Sequence, residues 1–300
     1  LVNSTSIKDT SLLPYYNIFD ELFSMPMKIF DKEKNAETML SYEEVVAKLK
    51  SETVDAQISQ GLQGSCPDFI DFRIQCKAGN YSQSVQWIKH CLFDIVFDEK
   101  RVRVLLENYL NSIVEWKREG SVMLDSLTNR NLYSERSLKK STDPLFVETK
   151  LKEILEEIEN GNFEKEILPR IETMRNQLRS NFGKFHILVL GDISKIPDIY
   201  EPWNPLIESL NIEHAVEKVR VPPVPRALSS VSPICKNPGE KAFIITTPAS
   251  ESAYMNLITS VPFDLNYHDP EYAMVSLASE YLQCVEGPFW KGIRGAGLAY

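Results

Sequence analysis

The sequence predicts an α+β protein in which an antiparallel sheet packs against helices. Three observations support this class: two strand-like runs of alternating polarity near the start, several helical stripes after them, and short apolar runs further on. A doubly wound sheet would instead alternate strands and helices regularly. The 300 residues, of which 43% are hydrophobic, correspond to about two domains of ordinary globular composition.

The first elements read as helices. Apolar residues recur at helical spacing over 11–31 and predict a helix with an aromatic face. A second helix is predicted to begin at Ser41. Ser41 and Glu44 have the spacing of a capping box, in which each side chain bonds the backbone N–H of the other residue.

The pattern then changes to the period of a strand. Apolar and polar residues alternate over 54–58 and again over 70–76, and turn-forming residues are frequent in 61–67 between them. We predict two antiparallel strands with one buried face each. Helical stripes follow over 85–96, 102–113, 146–160 and 163–180, with Gly161 as the break between the last two. The run 185–190 predicts a short buried strand.

The composition changes after this strand. Seven of the 17 prolines lie between Glu201 and Gly239, which indicates an extended connector. Strand patterns resume at 242–245 and 254–261, and a helix is predicted from Pro270 with Asp269 as its N-cap. Its predicted core face consists of Met274, Leu277, Ala278, Tyr281, Leu282 and Val285.

We therefore predict a complete α+β domain over 1–200, a proline-rich linker over 201–238, and the truncated start of a second α+β domain over 239–300. The first residue is Leu1 and the last residues carry no polar tail, so we expect the chain to be a piece of a longer protein.

Composition argues against several functions. The net charge of −9, without a basic stripe, disfavours nucleic-acid binding, and no apolar run approaches the ~20 residues of a membrane span. Five cysteines without C-x-x-C spacing read as reduced, mostly buried thiols. The four histidines form neither H-E-x-x-H nor H-x-x-E-H, so no metal site is expected in this chain.

The segment 286–300 is the most unusual part of the sequence. Glycines at 292, 295 and 297 allow close approach of another chain, Arg294 offers a rigid fork of donors, and Tyr300 offers a hydroxyl. The alternative reading is a glycine-rich turn with a packed tyrosine.

Three stretches of the C-terminal part, 269–273, 286–290 and 294–300, strongly resemble the C-terminal half of pitrilysin-type zinc metallopeptidases. The likeness is greatest to the single-chain branch that includes the presequence protease. It extends upstream through 41–46, 121–127 and 188–193 to nearly the whole chain, although the motifs of 269–300 are the specific ones.

The resemblance implies a repeated α+β domain, of which this chain holds the third and the start of the fourth. It implies that zinc is bound by an H-x-x-E-H motif outside this chain. It also implies that Arg294 and Tyr300 reach the substrate backbone, with Tyr300 as a catalytic hydrogen-bond donor. One departure stands out: the family motif normally continues with glycine, whereas this chain ends at Tyr300.

The function expected from the resemblance is that of a fragment of a zinc-dependent endopeptidase, inactive alone and acting with the missing N-terminal half of the same polypeptide on peptide substrates. The expected location is cytoplasmic, with the mitochondrial matrix as the alternative. Two other functions stay open: a non-catalytic structural or partner subunit of the same family, and an unrelated protein-interaction module.

Overall fold

The computed structural model describes residues 2–4, 7–31, 35–61, 69–180, 186–210, 241–258 and 268–299. The chain divides into two compact units, Leu1–Asn256 and Leu257–Tyr300. Helices and two small antiparallel sheets make up the first unit, so the predicted α+β class is confirmed. The predicted linker lies mostly outside the described residues, and the domain boundaries stay a prediction.

The larger sheet holds the strand pair predicted from alternating polarity. Its strands are β1 (Val2–Asn3), β4 (Asp55–Gln60) and β5 (Phe69–Gln75), in the order β1-β5-β4 and all antiparallel. Ile58 pairs with Phe72 in the ladder, and Ile58 lies buried in the core against which Phe72 packs. One face of the sheet therefore covers the core, as alternation predicts.

The predicted helix over 11–31 is wrong in its length and partly in its type. The segment instead forms a 3-10 helix (Thr10–Tyr15), a single α-turn α1 (Tyr16–Phe19), a second 3-10 turn (Leu22–Ser24) and strand β2 (Met27–Asp31), which pairs with β3 (Ala36–Leu40). Pro26 explains the change, because a proline disfavours the helical region for the residue before it. Met25 accordingly is extended, with φ −92° and ψ 152°.

Helix α2 (Tyr42–Glu52) begins as the capping box predicts. The Ser41 hydroxyl accepts the Glu44 N–H at 3.3 Å, and the Glu44 carboxylate accepts the Ser41 N–H at 2.8 Å. Two backbone donors of the helix start are thus satisfied by the side chains that the sequence indicated.

The remaining helices of the first unit pack around the same core. They are α3 (Tyr81–Phe93), α4 (Glu99–Trp116), α5 (Gly120–Leu132), α6 (Leu138–Ser141), α7 (Pro144–Glu159), α8 (Leu168–Ser180) and α9 (Asn204–Ser209), and a π-helical turn (Phe163–Ile167) precedes α8. The predicted break at Gly161 is confirmed, since its φ of +77° suits glycine and ends α7.

The strands predicted over 185–190, 242–245 and 254–261 are not present in the described residues of these ranges. Leu190 is 83% exposed and Ile244 is 85% exposed, so the apolar runs are not buried either. A strand needs the backbone of a neighbouring strand to pair with, and apolar composition supplies no such partner.

Two arginines that the sequence did not single out attach α8 to the end of α3. Arg175 donates to the carbonyl oxygen of Ile95 at 3.0 Å and Arg179 donates to that of Leu92 at 2.7 Å. Their guanidinium groups lie over the rings of Phe97 and Phe93. Burial lowers the pKa of Arg179 to about 10, well above neutral pH, so the group stays charged.

Arg175→Leu should lower the free energy of unfolding by about 1–3 kcal/mol, because the buried Ile95 carbonyl loses its donor. Urea denaturation followed by circular dichroism measures the effect. The matched control is Arg103→Leu, which removes an exposed arginine paired with Glu107 and Glu159 and should change stability by less than about 1 kcal/mol. Equal stability of the wild type and Arg175→Leu would show that the arginine does not stabilise the helix contact.

Candidate functional site

Arg294, the first predicted site residue, lies in the second unit at the end of a π-helical turn (Trp290–Arg294). The turn follows helix α10 (Pro270–Gln283), and the Arg294 side chain is exposed. Tyr300, the second predicted site residue and the predicted catalytic donor, lies outside the described residues. The described residues therefore define the position of Arg294 but not its distance from Tyr300.

The segment between helix α10 and this turn requires glycine at position 287. A Cβ at Gly287 would lie 2.6 Å from the carbonyl oxygen of Tyr281 and 2.8 Å from that of Cys284, which is too close for any side chain. Gly287 also accepts the Lys291 N–H at 2.9 Å, so the chain is anchored on both sides of Pro288.

The end of the turn is equally defined by backbone hydrogen bonds. Gly295 donates to the Trp290 carbonyl at 2.7 Å, and Leu298 donates to that of Ile293 at 2.9 Å. Gly297 has a φ of +70°, the left-handed region that glycine adopts without strain. Arg294 therefore projects from a short, internally bonded turn with glycine on its C-terminal side.

The chemistry available to such a residue is recognition of oxygen atoms. A guanidinium group presents planar donors that match a carboxylate or a peptide carbonyl. Exposure leaves the group accessible to a ligand from solvent.

Helix α10 begins where the sequence predicts, but its packing differs from the prediction. Asp269 is extended, with φ −83° and ψ 138°, and Pro270 occupies the first turn. The Asp269 side chain makes no capping bond, whereas its backbone carbonyl accepts the Tyr272 N–H at 3.0 Å. The predicted core face is wrong for the described chain, since Met274, Leu277 and Tyr281 are all exposed.

His90, Cys91 and Cys284 differ in burial and in their contacts. His90 is half-buried, and its Nδ1 lies 2.6 Å from Asp94. Cys91 is buried, and burial raises the pKa of its thiol, while Cys284 is an exposed free thiol. His214, Cys66 and Cys235 lie outside the described residues.

Within the described ranges, no three His, Cys, Asp or Glu side chains are placed to hold a metal ion. Among the same residues, no helix is both long and apolar enough to cross a membrane.

Comparison with known proteins returned three relatives, all of them uncharacterized proteins. The chain is 83% identical over 300 residues to an uncharacterized protein of Saccharomyces cerevisiae, and covers 29% of that protein. It is 29% identical over 310 residues to an uncharacterized protein of Schizosaccharomyces pombe and 24% identical over 301 residues to one of Caenorhabditis elegans, covering 28% of each. Each match includes at least 99% of this chain, which thus spans less than a third of the relatives' length.

Neither a family model nor a solved structure matches the chain. The comparisons therefore assign neither a family nor an activity to the chain.

Gly287→Ala should disrupt the turn that carries Arg294, because the new Cβ would overlap two backbone oxygens. We expect the Lys291 amide, which bonds Gly287, to exchange with deuterium faster by at least tenfold. Gly292→Ala is the matched control, since no atom lies within 4 Å of its Cβ position and exchange should hardly change. Unchanged exchange in Gly287→Ala would contradict the turn geometry.

Proposed function

We propose that this chain is the substrate-binding part of a zinc-dependent endopeptidase of the pitrilysin type, and that the zinc ligands lie elsewhere in the full-length polypeptide. The observation that carries the proposal is the exposed Arg294 on its glycine-flanked turn, within the segment whose residues resemble that family. The α+β architecture of the first unit is compatible with the repeated domain of such enzymes.

The length of the relatives supports the same proposal. Each relative is more than three times as long as the matched stretch, so most of its sequence lies outside this chain. The proposal assigns the zinc motif to that remainder. The described residues of this chain do not fit a zinc ion, because they contain no suitable cluster of ligands.

A zinc ion would supply a bound water that ionises near neutral pH, which is the nucleophile in this class of hydrolysis. The residues of this chain would act on the peptide. Arg294 would bind a backbone carbonyl or a terminal carboxylate of the substrate through charge-assisted hydrogen bonds. Tyr300 would donate to the scissile carbonyl oxygen as that atom gains negative charge, which lowers the barrier selectively.

The partners that follow are peptide substrates and the remainder of the same polypeptide. We propose a cytoplasmic location, with the mitochondrial matrix as the alternative. Neither nucleic acid nor a membrane enters the proposal.

The test is steady-state kinetics of peptide hydrolysis by the full-length protein. Tyr300→Phe should lower kcat by about 10²–10³, the usual effect of removing one oxyanion donor. Arg294→Ala should lower kcat and raise KM, because the arginine holds the substrate. The matched controls, Tyr281→Phe and Lys291→Ala, lie in α10 and in the same turn and should keep wild-type kcat/KM.

Zinc content separates the possible outcomes. We expect about one zinc per full-length chain in the wild type and in both variants, and no stoichiometric zinc in the isolated 300-residue chain. Wild-type kcat/KM in Tyr300→Phe would favour a glycine-rich turn with a packed tyrosine. A full-length protein without H-x-x-E-H and without zinc would favour the non-catalytic subunit.

A further inference from the structure

The larger sheet is open along one side of its central strand. Strand β5 pairs with β4 along its length from Ile70 to Gln75. On its other side β5 pairs with β1 only at Phe69 and Ile70. Among the described residues no further strand pairs with β5, so Asp71–Gln75 present an open edge on the side of β1.

Strand β1 is unusually short. It consists of Val2 and Asn3, whereas strands of globular proteins usually span about 3–10 residues. An open edge carries backbone N–H and C=O groups that are a template for another strand. The two pairs between β1 and β5 therefore indicate the end of a longer ladder.

The burial of β5 decreases where β1 ends. The first three residues of β5 are at most 5% exposed. Phe72 and Ile74 pack against the core but are only partly buried. Ile70 faces the same side of the sheet, since side chains alternate along a strand, and it is 1% exposed. Ile70 has Val2 opposite it in the ladder, and the same cover is missing beside Phe72 and Ile74.

The register of β1 defines what would complete the ladder. Val2 pairs with Ile70 and Asn3 with Phe69, so each step backward along β1 is one step forward along β5. A continuation of β1 toward its N-terminal side would run along Asp71–Gln75 without a change of direction. The open edge is thus in line with chain that precedes β1.

The apolar run 187–190 is the alternative occupant within this chain. The ring of His186 packs against that of Phe69, with centroids 6.0 Å apart. Leu188 and Leu190 are nevertheless 62% and 83% exposed, and the run forms no strand. This run therefore lies near β5 without covering its edge.

We propose that the chain directly before Leu1 in the full-length protein continues β1 and closes this edge. Counted back from Leu1, the four preceding residues pair in turn with Phe72, Arg73, Ile74 and Gln75. The relatives are more than three times as long as the matched stretch and so contain further chain. The first unit is then completed by chain upstream of these 300 residues.

Disulfide trapping in the full-length protein tests this register. A cysteine at the second position before Leu1 should form an intramolecular disulfide with Arg73→Cys. Directly opposite residues of an antiparallel pair have Cα atoms about 4.5–5.5 Å apart, which suits a disulfide. Arg73 is exposed, so its replacement should not disturb the core.

Gln75→Cys, combined with the same upstream cysteine, is the matched control. Gln75 is also exposed but is the diagonal neighbour, about 7–8 Å away, and should cross-link at least tenfold less. Mass spectrometry of the digested, non-reduced protein identifies the joined cysteines. A link from Arg73→Cys to any other segment or to a second copy would overturn the proposal, as would equal cross-linking of the control.

Hydrogen exchange is the second measurement and needs no substitution. In the 300-residue chain, the amides of Asp71–Gln75 that point to the open edge should exchange faster than those bonded to β4, by about 10²-fold or more. In the full-length protein the same edge amides should exchange at least tenfold more slowly than they do in the 300-residue chain. Equally fast exchange of the edge amides in both proteins would overturn the proposal. Neither measurement depends on zinc or on peptide hydrolysis, so failure here is distinguishable from failure of the proposed function.

Discussion

The first unit depends on the burial of one irregular segment, Leu12–Met27, at its centre. Eight of its hydrophobic side chains are at most 2% exposed: Leu13, Tyr15, Tyr16, Ile18, Phe19, Leu22, Met25 and Met27. The 3-10 helix of this segment contacts α6, α7 and α8, the α-turn contacts α4, and the second 3-10 turn contacts α2 and β4. Each surrounding helix or sheet has an apolar face that needs a partner, and this segment is apolar on nearly every side. The elements are thus held together mainly by contacts with this segment.

This arrangement explains which features the sequence could predict. Features that depend on a few neighbouring residues were predicted correctly: the capping box of Ser41 and Glu44, and the helix break at Gly161. The spacing of apolar residues correctly predicted the strand pair β4 and β5 and the long helices. The stripe over 11–31 correctly indicated burial but not conformation, since Pro26 interrupts the helical pattern and forces Met25 into an extended conformation.

Features that depend on distant partners could not be predicted. The apolar runs at 187–190 and 242–245 have the composition of strands. Burying them requires a second apolar surface, and within the described residues several of their side chains are exposed instead. The contact of Arg175 with the Ile95 carbonyl spans 80 positions and has no local pattern. The same holds for the complete burial of Tyr15, whose 3-10 helix contacts α7 and α8. For the candidate site, the glycines around Arg294 predicted a turn, and the structure has one. The distance from Arg294 to Tyr300 stays undefined, because Tyr300 lies outside the described residues.

We expect stability to be concentrated around the buried N-terminal segment, because the described residues of the unit that carries Arg294 form little core of their own. Native-state hydrogen exchange of the 300-residue chain, resolved by residue, measures this difference. The amides of α4 and α7, which pack on the segment, should exchange only with global unfolding, and those of α10 should exchange at least 10²-fold faster. Equal protection of α10 and α7 would contradict it, since it would show that the exposed apolar face of α10 is covered in solution.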